Sequence, residues 1–96
     1  MDSRRLKVVW TPEAEADLDE GVTYIARDNV SAAIATEERV FDAADGLGDF
    51  PNKGRARTDG RRELVVAATP FLLVYRTEAD SVVILRVWHT SREPFA

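Results

Sequence analysis

The chain has 96 residues, of which 45% are hydrophobic and 31% charged, and it contains no cysteine. That is one small domain, 1–96, expected to bury about 60–65% of its unfolded surface; disulfide frameworks, thiolate metal sites and a disordered chain are excluded. The net charge of −4 argues against a whole-surface nucleic-acid binder. That total hides an asymmetry: residues 1–52 carry five Lys/Arg against twelve Asp/Glu, and residues 53–96 carry eight against five.

In chain order, Leu6 to Trp10 reads as a short β-branched and aromatic strand. Thr11 then offers an N-cap hydroxyl with Pro12 at the first helical position. Ala14, Leu18, Val22 and Ile25 recur at helical spacing, with Gly21 beside them. The carboxylates between Glu13 and Glu20 suit the positive end of that helix and its solvated face. "RDNVS" breaks the pattern, and Ser31 is the expected cap of a second helix. Its apolar stripe is Ala33, Ile34, Val40, Phe41, Ala44 and Leu47, and Gly46 or Gly48 ends it.

"DFPNKGRARTDG" reads as a loop that exposes Lys53, Arg55 and Arg57. Strands at Arg62–Ala68, Phe71–Arg76 and Val82–His89 follow, joined by links short enough for an antiparallel meander. The predicted architecture is α+β, in the order β-αα-βββ, with a helical hairpin on one face of a small, mainly antiparallel four-stranded sheet. In the last strand, Val82, Ile84, Arg86 and Trp88 share one face, expected to point away from the helices. The orientation of His89, at the strand end, stays open.

Individual residues have bland readings as well as functional ones. His89 is as readily a strand-end histidine bonded to backbone as a proton-transfer group. Arg76 and Arg86 fit cross-strand pairs with Glu63 or Glu78. Tyr75 fits a buried ring with a bonded hydroxyl. Trp88 divides between packing against a loop and serving as an interface anchor. No apolar stretch is long enough for a signal peptide or a membrane span, which implies a cytoplasmic protein with no membrane association. With a lone histidine and no cysteine, no metal is expected.

Four stretches, "VVWTPEAEADLDEGVTYI", "FPNKGRARTDGRRELVV", "FLLVYR" and "ILRVWHTSRE", together resemble the RelE/ParE superfamily of toxins from bacterial type II toxin–antitoxin modules. The resemblance runs from Val8 to Arg92. It implies a growth-inhibiting toxin of a plasmid-stabilising module, held in a hetero-oligomer by a cognate antitoxin, with no cofactor. Leu18, Val22, Ile25 and Phe41 are the implied antitoxin contacts. Lys53, Arg55, Arg57, Arg86 and Trp88 are the implied target contacts.

RelE-like members cleave mRNA on the ribosome, whereas ParE-like members act on DNA gyrase. RNA cleavage needs a base, cations around the phosphorane and an acid. His89, Arg92 and Arg62 would supply these in a metal-independent endoribonuclease. Leu64 and Leu72, however, stand where such nucleases carry basic residues. The reading therefore leans to a ParE-like toxin that is not an enzyme. A ribosome-dependent endoribonuclease is the alternative, and a decayed toxin retaining only antitoxin binding is a further one.

Overall fold

The structure is a computed structural model and describes residues 5–90. Strand β1 (Lys7–Trp10) leads directly into helix α1 (Pro12–Ala26), because Thr11 caps the helix: its hydroxyl accepts from the Ala14 N–H at 3.1 Å, with Pro12 in the first turn. Helix α2 (Val30–Gly46) starts two residues earlier than a Ser31 cap would place it. The cap is Asn29, whose side-chain oxygen accepts from the Ala32 N–H at 2.9 Å. Asn and Ser cap equally well, so their order in "NVS" did not discriminate between them.

The sheet has five strands rather than four. Strand β2 (Arg55–Ala56) lies inside the segment read as a loop and pairs antiparallel with β3 (Arg62–Val65). Strands β4 (Phe71–Thr77) and β5 (Ser81–His89) complete the meander, and β1 adds to β5 in parallel, giving the order β1-β5-β4-β3-β2. A two-residue strand is too short to show periodicity. What forms the β2–β3 hairpin is its turn, in which Gly60 adopts φ +85° and the Arg57 N–H donates to the Arg61 carbonyl at 2.8 Å.

Both helices cover one face of the sheet. Ala14, Leu18, Val40, Ala44 and Leu47 pack onto Phe71, Leu73, Tyr75, Val82, Ile84 and Val87. Gly21 permits this close approach, since a Cβ there would stand 2.6 Å from the Phe71 ring. Within α2, Ala33, Val40, Ala44 and Leu47 are buried as expected, but Ile34 and Phe41 are 54% and 46% exposed. They lie about 100° around the helix from the core side at 3.6 residues per turn, on the flank of the stripe.

The alternation expected along β5 fails at its centre. Val82 and Ile84, placed by simple parity on the outer face, are fully buried beneath the helices. Val74 pairs with Arg86 while Tyr75 pairs with Ile84, so Leu85 is an extra residue, a β-bulge. One inserted residue reverses every later side chain. Val87 thus joins the core, and Trp88 turns outward as expected.

The bulge coincides with the end of β1. Strand β1 ends opposite Ile84, leaving the rest of β5 with an open edge that α1 closes. The Thr11 hydroxyl donates to the Leu85 carbonyl at 3.1 Å, and the Val87 N–H donates to the Asp17 carboxylate at 3.0 Å. Asp17 also receives the Arg86 guanidinium through two bonds of 2.7 and 2.9 Å. Arg86 is therefore paired with α1, not with Glu63 or Glu78. Its hydrogen bond with Asp17 raises the Arg86 pKa further above its ordinary value.

Candidate functional site

The β2–β3 hairpin forms one edge of the sheet, beside the face that the helices leave uncovered. There Val65, Leu72 and Trp88 align in one cross-strand row. The Arg57 guanidinium sits 5.9 Å from the centre of the Trp88 ring, within cation–π range. Glu63 holds it in place, accepting from Arg57 at 2.7 Å and from Arg55 at 3.2 Å. Asp59 approaches Arg57 to 3.4 Å; the backbone N–H of Arg61 and the charges of Arg57 and Arg61 lower its pKa. Arg57 is thus an ordered, half-buried cation rather than a member of a free loop, while Arg55 remains largely in solvent.

Of the five residues expected to meet a target, Arg57 and Trp88 are in contact, and Arg55 joins them through Glu63. Lys53 is exposed on the preceding turn, next to Phe50, which is 68% exposed. Arg86 is turned to Asp17 on α1. Phe50 and Val65, the latter 63% exposed, are apolar surface residues that the sequence reading did not place beside these cations. Recognising them required the sheet order, because Val65 reads simply as a strand residue.

Two of the residues expected to serve RNA cleavage, Arg62 and His89, stand apart in the sheet. Arg62 stands opposite Tyr75 and donates to the carbonyls of Gly54 at 2.7 Å and Asn52 at 3.4 Å. It ties the Pro51–Gly54 turn to the sheet. Tyr75 does the same from below: its hydroxyl accepts from the Gly54 N–H and donates to the Pro51 carbonyl, both at 2.8 Å. Burial raises the Tyr75 pKa above 10.0, partly opposed by the Gly54 bond and by Arg62. Gly54 fits this corner because a Cβ would lie 2.6 Å from the Tyr75 oxygen and 2.8 Å from the Glu63 carbonyl.

His89 stands opposite Phe71, four residues away from Tyr75 along β4, a separation of about 13 Å at strand rise. After the bulge it faces the helix side, edge-on to Phe71 with centroids 5.6 Å apart. Gly21, Tyr24 and Trp88 border the same open cleft between α1 and β5, of about 620 Å³. Arg92 lies outside the described residues. Arg62 and His89 therefore lie opposite β4 residues that are four positions apart. Among the described residues, no three His, Asp or Glu side chains converge as metal ligands. No described helix is long and apolar enough to cross a membrane.

The expected antitoxin contacts divide by burial. Leu18 is 3% exposed and belongs to the core, so its side chain has little surface to offer a partner. Its helical spacing marked it as apolar but not as innermost. Val22 and Ile25 are half-buried against the core. Phe41 is exposed and meets Trp10 edge to face at 5.3 Å.

A helical hairpin on one face of a mixed five-stranded sheet, bounded by a parallel β1 and a cation-bearing β2–β3 hairpin, is the RelE/ParE toxin fold. A solved structure described as the chromosomal ParDE toxin–antitoxin system of P. aeruginosa shares it, with a TM-score of 0.79 at 24% identity, covering 93% of this chain and all of that one. Residues 8–94 match the family model described as the ParE toxin of type II toxin–antitoxin system, parDE. The toxin-family protein Y4kP of Sinorhizobium fredii is 38% identical over 90 residues, covering 93% of each chain. Toxin RelE2 of Caulobacter vibrioides is 38% identical over 86 residues, covering 90% of this chain and 97% of that protein. The chain belongs to the ParE toxin family of type II toxin–antitoxin systems.

Proposed function

We propose that this ParE-family chain is the growth-inhibiting toxin of a plasmid-stabilising module in the cytoplasm, silenced by direct binding of a cognate antitoxin, and that it acts on DNA gyrase without cutting RNA. The observation that carries the gyrase reading is the separation of the would-be nuclease residues. Arg62 is committed to the carbonyls of Asn52 and Gly54, and His89 lies at the far end of β4. Leu64 and Leu72 occupy sheet positions where a nuclease of this superfamily would carry cations.

The surface that meets the target is the outer patch of Arg57 and Trp88 with Arg55 and Lys53 around it. An indole clamped by a guanidinium offers a rigid aromatic anchor, and Glu63 holds that guanidinium at little entropic cost on binding. Arg86 contributes through α1 rather than by direct contact, because Asp17 holds it.

Purified chain added to gyrase at saturating amounts is expected to block supercoiling, and Trp88→Ala or Arg57→Ala to relieve the block. Normal supercoiling at saturation would refute the gyrase target. Messages cut only when ribosomes are present, and spared by His89→Ala, would instead establish the endoribonuclease reading. If induction leaves growth unchanged while the product of the neighbouring small reading frame still co-purifies, the chain is a decayed toxin that keeps only antitoxin binding.

A further inference from the structure

The segment between α2 and β2 leaves an aromatic side chain in solvent on a backbone that is held from several sides. Phe50-Pro51-Asn52-Lys53 is a turn closed by the Lys53 N–H, which donates to the Phe50 carbonyl at 3.1 Å, with Pro51 at the position that its fixed φ suits. The Phe50 N–H donates to the Gly46 carbonyl at 3.1 Å and so starts the turn from the end of α2. From the sheet, the Tyr75 hydroxyl bonds the Pro51 carbonyl and the Gly54 N–H, and the Arg62 guanidinium donates to the Asn52 and Gly54 carbonyls.

Phe50 is 68% exposed, and Lys53 is exposed as well. As first and last residues of one turn their Cα atoms stand within about 7 Å of each other, and both border one shallow depression with Pro51 and Asn52. Asp49, on the same rim, approaches Arg5 to 3.5 Å, whereas Lys53 enters no ion pair among the described residues. Fixing a loop costs conformational entropy, and most of the Phe50 ring gains no burial in return. A partner that seats the ring buries apolar surface without having to order the loop first. The charge beside the ring selects that partner: an aromatic group with an adjacent cation complements an apolar recess edged by carboxylates.

We infer that Phe50 and Lys53 form an anchor that enters an apolar recess edged by carboxylates on the gyrase target, and that Tyr75 and Arg62 are positioning residues that hold this anchor. The inference rests on the gyrase reading above and adds the anchor, the chemistry of its receptor and the device that fixes it. Strand β2 begins at Arg55, directly after Gly54, so the anchor and the cations of the β2–β3 hairpin belong to the same edge of the sheet. Arg62 then serves the target contact through the backbone carbonyls it holds.

The test measures how far the purified full chain inhibits supercoiling by purified gyrase, with its affinity for the product of the neighbouring small reading frame measured alongside. Phe50→Ala and Lys53→Glu are each expected to raise the half-inhibiting concentration about tenfold and to leave the second affinity within about twofold of the parent's. Both side chains are exposed, so these variants keep the fold, which circular dichroism checks. Parent-like inhibition by Phe50→Ala or by Lys53→Glu overturns the anchor while leaving the gyrase reading intact. An equal loss toward both partners also overturns it, because the damage is then not confined to the target contact. A parent chain that leaves supercoiling unchanged removes the gyrase reading, and this inference with it.

Tyr75→Phe removes only the hydroxyl and tests the positioning role, with Arg62→Gln as the second variant should Tyr75→Phe unfold. It is expected to weaken inhibition about fivefold in the parent chain but less than about twofold in Phe50→Ala, because a hold on the turn matters little once the anchor is gone. Equal factors in the two backgrounds would mean that the hydroxyl acts on stability alone, and would overturn the positioning role.

Discussion

Asp17 should matter far more to stability than its partner Arg86, although the two look like equal halves of one ion pair. The pair itself is modest: Arg86 is 45% exposed, and a pair of that exposure contributes about 0–1 kcal/mol after solvent screening. Asp17, however, also accepts the Val87 N–H on the β5 edge that β1 does not reach, and Val87 is 5% exposed. Leaving a buried donor without an acceptor costs about 1–3 kcal/mol. Asp17→Ala should therefore lose about 2–3 kcal/mol in all, and Arg86→Ala less than about 1. Asp17→Asn, which keeps an acceptor oxygen, should fall between them. Urea unfolding followed by tryptophan fluorescence reads these differences as midpoint shifts at constant slope. For a domain of this size the alanine variant should melt roughly 8–24 °C lower. An Arg86→Ala loss equal to that of Asp17→Ala would refute the claim that Asp17 completes the β5 edge.

Three further outcomes follow from the same geometry. Asn29→Ala should cost about 1 kcal/mol and Ser31→Ala almost nothing, because Asn29 is the residue that accepts from the α2 N-terminus; the reverse order in thermal melts would restore Ser31 as the cap. Gly54→Ala should destabilise by about 1–3 kcal/mol through overpacking, since its Cβ meets a hydroxyl and a backbone carbonyl rather than a yielding side-chain tip; an unchanged melting temperature would show that the corner is loose. Finally, the fold favours the neutral Tyr75 phenol, so its contribution is complete below pH 10.0 and is lost as pH climbs from there through the raised folded value. Stability measured across that range should fall more steeply for the parent chain than for Tyr75→Phe. Identical slopes would mean that the phenol titrates alike folded and unfolded.

Most of the architecture was legible as local chemistry. Thr11-Pro12 announced α1, the apolar spacing marked both helices, and the β-branched runs located β1, β4 and β5 to within a residue or so. These signals act between neighbours a few residues apart, so they can be read along the chain. The hydroxyl partners expected for Tyr75 also followed from burial alone, and they are present. The whole-chain resemblance reached the family directly, because it summed many weak positions in a set order.

What escaped that reading depends on residues distant in the chain. The bulge at Leu85 falls where β5 pairs with β4 on one side and runs out of β1 on the other, and no pattern within β5 announces it. From it come the inward turn of Val82 and Ile84 and the helix-side position of His89. Arg62 read as a candidate cation for chemistry, yet two backbone carbonyls eight and ten residues away claim it. Arg57 read as part of a solvated loop, but Glu63 and the Trp88 ring hold it on the sheet. Periodicity separates apolar from polar positions; which apolar side chains are covered, and which cations stay available, is settled by the packing of distant segments against one another.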